Sequence, residues 1–212
     1  MVELIVANKT VDRPYLVRIP DFTEEMFDDF VDENTKAELF DGVMIVHSPA
    51  TIEHDDVGGF TRGLMRFYAG RKRLGSVLGP DGIIHLASCR KFCPDLFFVR
   101  KERMPRPRPK EFEGAADLIG EVLSPSTRDY DLEDKRSAYR EAGVGEIWFL
   151  DVANAQVIVD RRGRRGYTEE TVARGKVASD VLKGFWLNVP WLWADPLPDP
   201  LSCLEKILAK GA

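Results

Sequence analysis

The stretch from Leu118 to Val152 constrains the fold more than any other part of the chain. Leu118-Ile119-Gly120-Glu121-Val122-Leu123 is a short apolar run closed by the turn-forming Ser124-Pro125-Ser126-Thr127, so it reads as a buried strand. A helix follows over about 129–142: Ser126 with Asp129 fits a capping box, and Gly143 stands where the helix should stop. Ile147-Trp148-Phe149-Leu150-Asp151-Val152 is apolar again. A strand, a helix and a strand at this spacing make a crossover unit whose strands are parallel and joined with a right-handed turn. The chain is therefore expected to be α/β, a mixed central β-sheet flanked by helices.

Two residues inside that unit are out of place for a core. Glu121 sits in the buried strand, and on the helix Lys135 shares a face with Leu132, Tyr139 and Ala142. The other face, with Glu133, Arg136, Arg140 and Glu141, suits solvent. A lone lysine on the inner face would send its ammonium out to water, but the crossover lays this helix against the strand of Glu121. Upstream, Pro94-Asp95 opens another apolar run, Leu96-Phe97-Phe98-Val99. Asp95 would serve equally as a strand-start residue at the rim, and Glu121 as the partner of an arginine within the sheet. Two carboxylates and a lysine on core elements are costly unless they hold a metal or pair with one another.

The rest of the chain supports one core. With 212 residues, 44% of them hydrophobic, a sizeable core forms without cross-links, so a single domain is expected over 1–212, with its centre at about 35–192. Thr23-Glu24-Glu25-Met26-Phe27 starts a short helix. Asp41-Gly42 between Ala37–Phe40 and Val43–Val46 marks a hairpin that Pro49 ends. Val57, Phe60, Leu64, Phe67 and Tyr68 recur at helical spacing from Glu53 to a stop at Gly70. Ile83–Leu86 and Phe92–Val99 read as two strands, and Pro105–Lys110 as an extended loop. Gln156–Val159 and a strand around Tyr167 bracket a basic turn, and the aromatic segment Phe185–Trp193 packs on the sheet.

A net charge of −5 does not advertise a nucleic-acid binder, though a carboxylate-lined metal site inflates the acidic count without repelling DNA once metal is bound. Three cysteines make no disulfide framework and favour a reducing, cytoplasmic setting. No signal peptide or apolar run of membrane-spanning length is visible, so no membrane partner is expected. His85, Cys89 and Cys93 lack the fourth ligand of a structural zinc site and read as strand and turn residues; His54, near the start of the glycine-bearing helix, either approaches the site or, the preferred reading, is an exposed helix-start histidine. Arg100–Lys110, with Arg103, Arg106 and Arg108, and Arg161–Arg165, with Arg164, are basic runs that either contact phosphates or are solvated loops.

The order of these residues carries a resemblance. Pro94-Asp95 followed by Glu121-Val122-Leu123 resembles the PD-(D/E)XK nuclease superfamily, except that Leu123 stands where the motif lysine belongs. In some branches the lysine comes from the following helix, which suits Lys135. The chain is similar to one such branch, the Uma-two family of endonucleases, through Glu38-Leu39-Phe40-Asp41-Gly42, Pro94-Asp95, Glu121-Val122-Leu123-Ser124-Pro125-Ser126-Thr127 and Tyr130-Asp131 through Lys135 and Tyr139. Ala142-Gly143-Val144 and Glu146-Ile147-Trp148 continue it, so the likeness runs from about Thr35 to Leu192. Ala37 and His47 depart from the family pattern, and neither is expected to touch the chemistry.

The resemblance implies a restriction-endonuclease-like fold and cleavage of DNA phosphodiester bonds with Mg²⁺, Mn²⁺ substituting. Asp95, Glu121 and the Val122 carbonyl would hold the metal, with Glu38 as a further acidic member. Lys135 would orient the attacking water or stabilise charge on the phosphate. Asp131 and Tyr139 would position Lys135, although Asp131 equally suits a helix N-terminus as a dipole partner. A homodimer fits cutting of both strands but is not demanded. Two rivals remain: a catalytically silent nucleic-acid or protein-binding module, and a metal-dependent phosphohydrolase acting on a small phosphoester in a closed pocket.

Overall fold

Alternation of apolar residues along the strands decides which side of each sheet meets which helix. The computed structural model describes residues 5–6, 9–10, 15–31, 36–105, 107 and 109–209. β1 (Ile5–Val6) and β2 (Lys9–Thr10) pair with each other. β3 (Leu16–Ile19) leads to α1 (Glu24–Phe30), where Thr23 caps the helix by accepting the Met26 amide. β4 (Ala37–Phe40) and β5 (Val43–His47) form the expected hairpin, with Asp41 and Gly42 at φ 48° and 84°, the double positive φ that a two-residue turn of this hand requires.

α2 (Ile52–Lys72) starts at Thr51, whose side chain accepts the His54 amide. It runs past Gly70, the expected stop, and ends at Arg73, which takes the left-handed conformation itself at φ 57°. β6 (Gly75–Leu78) follows, then β7 (Ile84–Ala87), β8 (Arg90–Phe92) and β9 (Leu96–Arg100). The run Phe92–Val99 is thus not one strand. Pro94 has no amide hydrogen to give a ladder, and the chain breaks there, placing β8 in one sheet and β9 in another.

β10 (Phe112–Glu113) pairs with β7. β11 (Leu118–Leu123) and β12 (Glu146–Asp151) are parallel neighbours, Glu121 opposite Phe149, as the crossover requires. The connecting helix opens as a π-helical turn (Tyr130–Lys135) that continues into α3 (Arg136–Ala142) and stops at Gly143, φ 82°. Ser126 does not cap it: its hydroxyl bonds that of Ser124. β13 (Gln156–Gly163) and β14 (Gly166–Val172) make the expected hairpin. A small ribbon of β15 (Lys176–Ala178) and β16 (Trp186–Asn188) and then α4 (Pro200–Ala209) follow among the described residues.

The central sheet has the order β14-β13-β12-β11-β9-β6; a second sheet has the order β10-β7-β8-β4-β5-β3. On one face of the central sheet Leu118, Val122, Trp148 and Leu150 pack with Leu64 and Tyr68 of α2 and with Phe185 and Leu187. On the other, Ile119, Leu123, Ile147 and Phe149 pack with Tyr139 and with Ile45, Ile84 and Phe92 of the second sheet. Glu121 is two residues from both Ile119 and Leu123, so strand parity points it into this second layer, toward the π turn.

Candidate active site

Four carboxylates converge in a cavity of about 310 Å³ where the two sheets, the start of α2 and the π turn meet. Asp95 precedes β9, Glu121 is on β11, Glu38 on β4 and Asp131 in the π turn, and all four are buried. Glu38 lies between Ala37 and Leu39, which face α1, so it faces the central sheet. The wider π turn brings Asp131 and Lys135 inward together.

Hydrogen bonds lock the group in place. Glu121 Oε1 accepts the Tyr139 hydroxyl at 2.6 Å and the Lys135 ammonium at 3.2 Å, while Oε2 accepts the Asp95 amide at 3.3 Å. Asp95 Oδ2 in turn accepts the Val122 amide at 2.8 Å. Lys135 Nζ also lies 2.9 Å from Glu38 and 3.4 Å from Asp131. Asp131 is therefore a buried partner of Lys135 rather than a solvated dipole partner. Tyr139 reaches Glu121 directly.

The charges are unevenly held. Burial alone would raise every carboxyl. For Glu38, Lys135, His47 and the Cys93 amide overcome it and hold the pKa far below the usual range. For Asp95, His54, Lys36 and the Val122 amide likewise overcome burial and lower the pKa. Glu121 goes the other way: burial, reinforced by Asp95, Asp131 and Glu38, outweighs Lys135 and lifts it to about 8. Burial likewise raises Asp131 against Lys135. Lys135 keeps its proton firmly, because the surrounding carboxylates outweigh the burial that opposes its charge. Glu121 and Asp131 are both held above the usual range, so the four carboxyls are not all readily ionised beside the basic groups present. That donor set, with two hard oxygen ligands on Asp95 and Glu121, fits a divalent cation. The Val122 carbonyl projects from the same edge of β11 as its amide, which already meets Asp95, so it fits as a further ligand.

Two histidines also belong here, one for which the sequence favoured an exposed position over the site and one expected to stay clear of it. His54 is not an exposed helix-start residue: its Nε2 is 3.3 Å from Asp95 Oδ2, and Asp95 raises the imidazole pKa despite burial. Thr51 capping fixes the first turn of α2 so that its third residue turns back into the cavity. His47, expected to stay clear of the chemistry, has Nε2 3.0 Å from Glu38 Oε2. The hairpin register contained that signal: Glu38 pairs with Ile45, so His47 is its diagonal neighbour on the same face.

The basic residues fall elsewhere. Strand register places Arg100 and Arg161 at the Leu118 end of the sheet, three or more residues (roughly 10 Å) from the level of Glu121. Arg103 pairs with Asp117 and bonds the Ala115 carbonyl; Arg161 pairs with Glu146, Glu170 and Asp180. Arg164 is in the exposed β13–β14 turn. Arg106 and Arg108 lie outside the described residues. At the cavity itself, Lys36 is exposed, with Nζ 3.8 Å from Asp95 Oδ1. A separate convergence of His85, Glu111 and Glu113 lies near β7 and β10, with Lys91 3.2 Å from Glu111; Cys89 and Cys93 do not join it.

The chain matches the Uma2 family model, described as "Putative restriction endonuclease", over residues 21–190. It belongs to the Uma2 family. The crystal structure of a "putative nuclease belonging to DUF820" from Anabaena variabilis ATCC 29413 shares its fold, with a TM-score of 0.72 at 16% identity, covering 81% of this chain and 97% of that one. The restriction-endonuclease-like α/β architecture expected from the sequence is therefore shown. No curated protein matches the chain. No described helix of this Uma2 protein is long and apolar enough to cross a membrane.

Proposed function

We propose that this Uma2 protein is a Mg²⁺-dependent endonuclease that hydrolyses DNA phosphodiester bonds at the cavity of Asp95, Glu121 and Lys135. The observation that carries the reading is the buried lysine held among three carboxylates, beside an Asp95–Glu121 pair in which Glu121 accepts the Asp95 amide and Asp95 accepts the Val122 amide. The family description and the nuclease name of the structural neighbour point the same way.

Asp95, Glu121 and the Val122 carbonyl would hold the metal, which supplies charge neutralisation of the phosphate and activation of water. Glu38 and Asp131 keep Lys135 charged and aimed at Glu121, where its ammonium can orient water or stabilise charge on the reacting phosphate. Tyr139 fixes the Glu121 carboxyl through its hydroxyl. Lys36, at the mouth, is placed to meet a phosphate of the backbone.

Plasmid nicking with Mg²⁺ or Mn²⁺ tests this. Cleavage by the wild type that Glu121→Ala and Lys135→Ala both abolish is the expected result. Equal cleavage by all three would place the activity elsewhere. Silence of all three on double-stranded, single-stranded and branched DNA would favour the binding module.

A further inference from the structure

Glu38 divides its two oxygens between different partners. Oε1 accepts the Cys93 amide at 2.8 Å and faces Lys135 Nζ at 2.9 Å. Oε2 lies 3.0 Å from His47 Nε2. An ionised carboxylate only accepts, so His47 Nε2 carries the hydrogen of that bond.

His47 closes β5 with its side chain 10% exposed, lining the cavity. Its ring packs against Tyr130 with centroids 5.8 Å apart. Tyr130 opens the π turn that delivers Asp131 and Lys135, and the Lys135 ammonium stands 5.4 Å from the Tyr130 ring centre. His47 therefore touches two supports of Lys135, one through a hydrogen bond and one through packing. Without it, Glu38 Oε2 loses this donor, and the carboxylate, still anchored at Oε1 by the Cys93 amide, can pivot about that bond and draw Lys135 with it relative to Glu121.

We propose that His47 is a positioning residue: through Glu38 it sets where the Lys135 ammonium points within the cavity. Its kinetic consequence rests on the nuclease reading above; its geometric consequence does not.

The test compares the full-length wild type with His47→Leu, which removes the donor, and His47→Gln, whose amide nitrogen reaches about as far as the imidazole Nε2. The activity-independent readout is the ¹⁵N–¹H resonance of the Lys135 ammonium, assigned with Lys135→Met. The expected result is a displaced or exchange-broadened signal in His47→Leu that returns toward the wild-type position in His47→Gln. In plasmid cleavage, His47→Leu should lower kcat roughly 10–100-fold with KM for DNA within about twofold, and His47→Gln should recover most of the loss.

An unmoved resonance in His47→Leu overturns the proposal whatever the cleavage result. Equal displacement in both variants overturns it too, because packing of the ring would then be the cause rather than the hydrogen bond. Should His47→Leu not fold, His47→Asn, whose shorter amide cannot span to Glu38, takes its place. The predicted resonance pattern in a protein that cleaves no DNA would uphold the positioning role and remove the nuclease reading.

Discussion

Lys135 Nζ lies 3.2 Å from Glu121 Oε1, although fourteen residues separate them in the chain. The contact exists because strand parity turns Glu121 toward the helix layer and the π turn rotates Lys135 back to meet it. It is worth different amounts to its two ends.

Removing the ammonium leaves Glu38, Glu121 and Asp131 buried without their shared cation. Lys135→Met is expected to cost about 3–5 kcal/mol in metal-free urea unfolding, the usual scale for breaking a buried pair from one side. Glu121→Gln should cost clearly less, because a carboxyl lifted to about 8 is already largely protonated at neutral pH, and the amide resembles that form. Equal losses in the two variants would count against this account of the charges.

Divalent metal should separate the same residues differently. A ligand that binds only the folded state at about 100 times its Kd adds about 2.7 kcal/mol, which for a chain of this size raises Tm by roughly 5–10 °C. Mg²⁺ or Mn²⁺ is expected to produce such a rise in the wild type and little in Asp95→Asn or Glu121→Gln. Chelator should reverse it. A rise of the same size in both variants would move the metal away from this cavity.

Much of this was legible beforehand. The crossover, the hairpin turn and the inward carboxylates follow from short-range rules of period and turn chemistry. What escaped depended on tertiary register. The π turn breaks the 3.6-residue period, so Ala142, expected inside, is exposed, while Ala138 and Asp131 are buried. Arg136 and Arg140, expected in solvent, hold Asp160, a fully buried carboxylate of β13 that nothing local marks as a partner. The split of Phe92–Val99 was written in Pro94 but masked by apolar residues on both sides.

A second buried carboxylate makes stability depend on pH. Asp151 is fully buried at the end of β12; burial opposes its charge, but Arg128, bound through both terminal nitrogens at 2.7 and 2.9 Å, prevails with Asn154 and Gln156 and holds the pKa at about 2. Because the folded value lies below the unfolded one, the bond stabilises above about pH 4 and its contribution disappears as pH falls toward 2. The contribution is on the order of 2 kcal/mol. The gap in unfolding free energy between wild type and Asp151→Asn should therefore narrow between pH 5 and 2. A gap that stays constant would show that the carboxylate is not the source.

Gly79 ties the end of β6 to the segment that carries Asp95. It follows β6, whose Leu78 pairs with Phe97 of β9, so it stands over the segment carrying Asp95. Its φ is +109°, and a Cβ there would come within 2.5 Å of the Asp95 carbonyl oxygen and 3.0 Å of Leu96 Cα. Those are backbone atoms, and the Asp95 carbonyl is also held by Arg62 at 3.2 Å, so the clash is relieved only by moving the chain at Asp95. Gly79→Ala should cost about 2–4 kcal/mol from backbone strain and overpacking together, and it should also reduce the metal-induced rise in Tm. Gly63→Ala is the matched control: it lies within α2, its added Cβ meets nothing within 4 Å, and it should gain about 0.5–1 kcal/mol. One substitution type with opposite signs at two glycines isolates the Asp95 backbone as the constrained element, and a Gly79→Ala protein as stable as wild type would show that the segment yields freely.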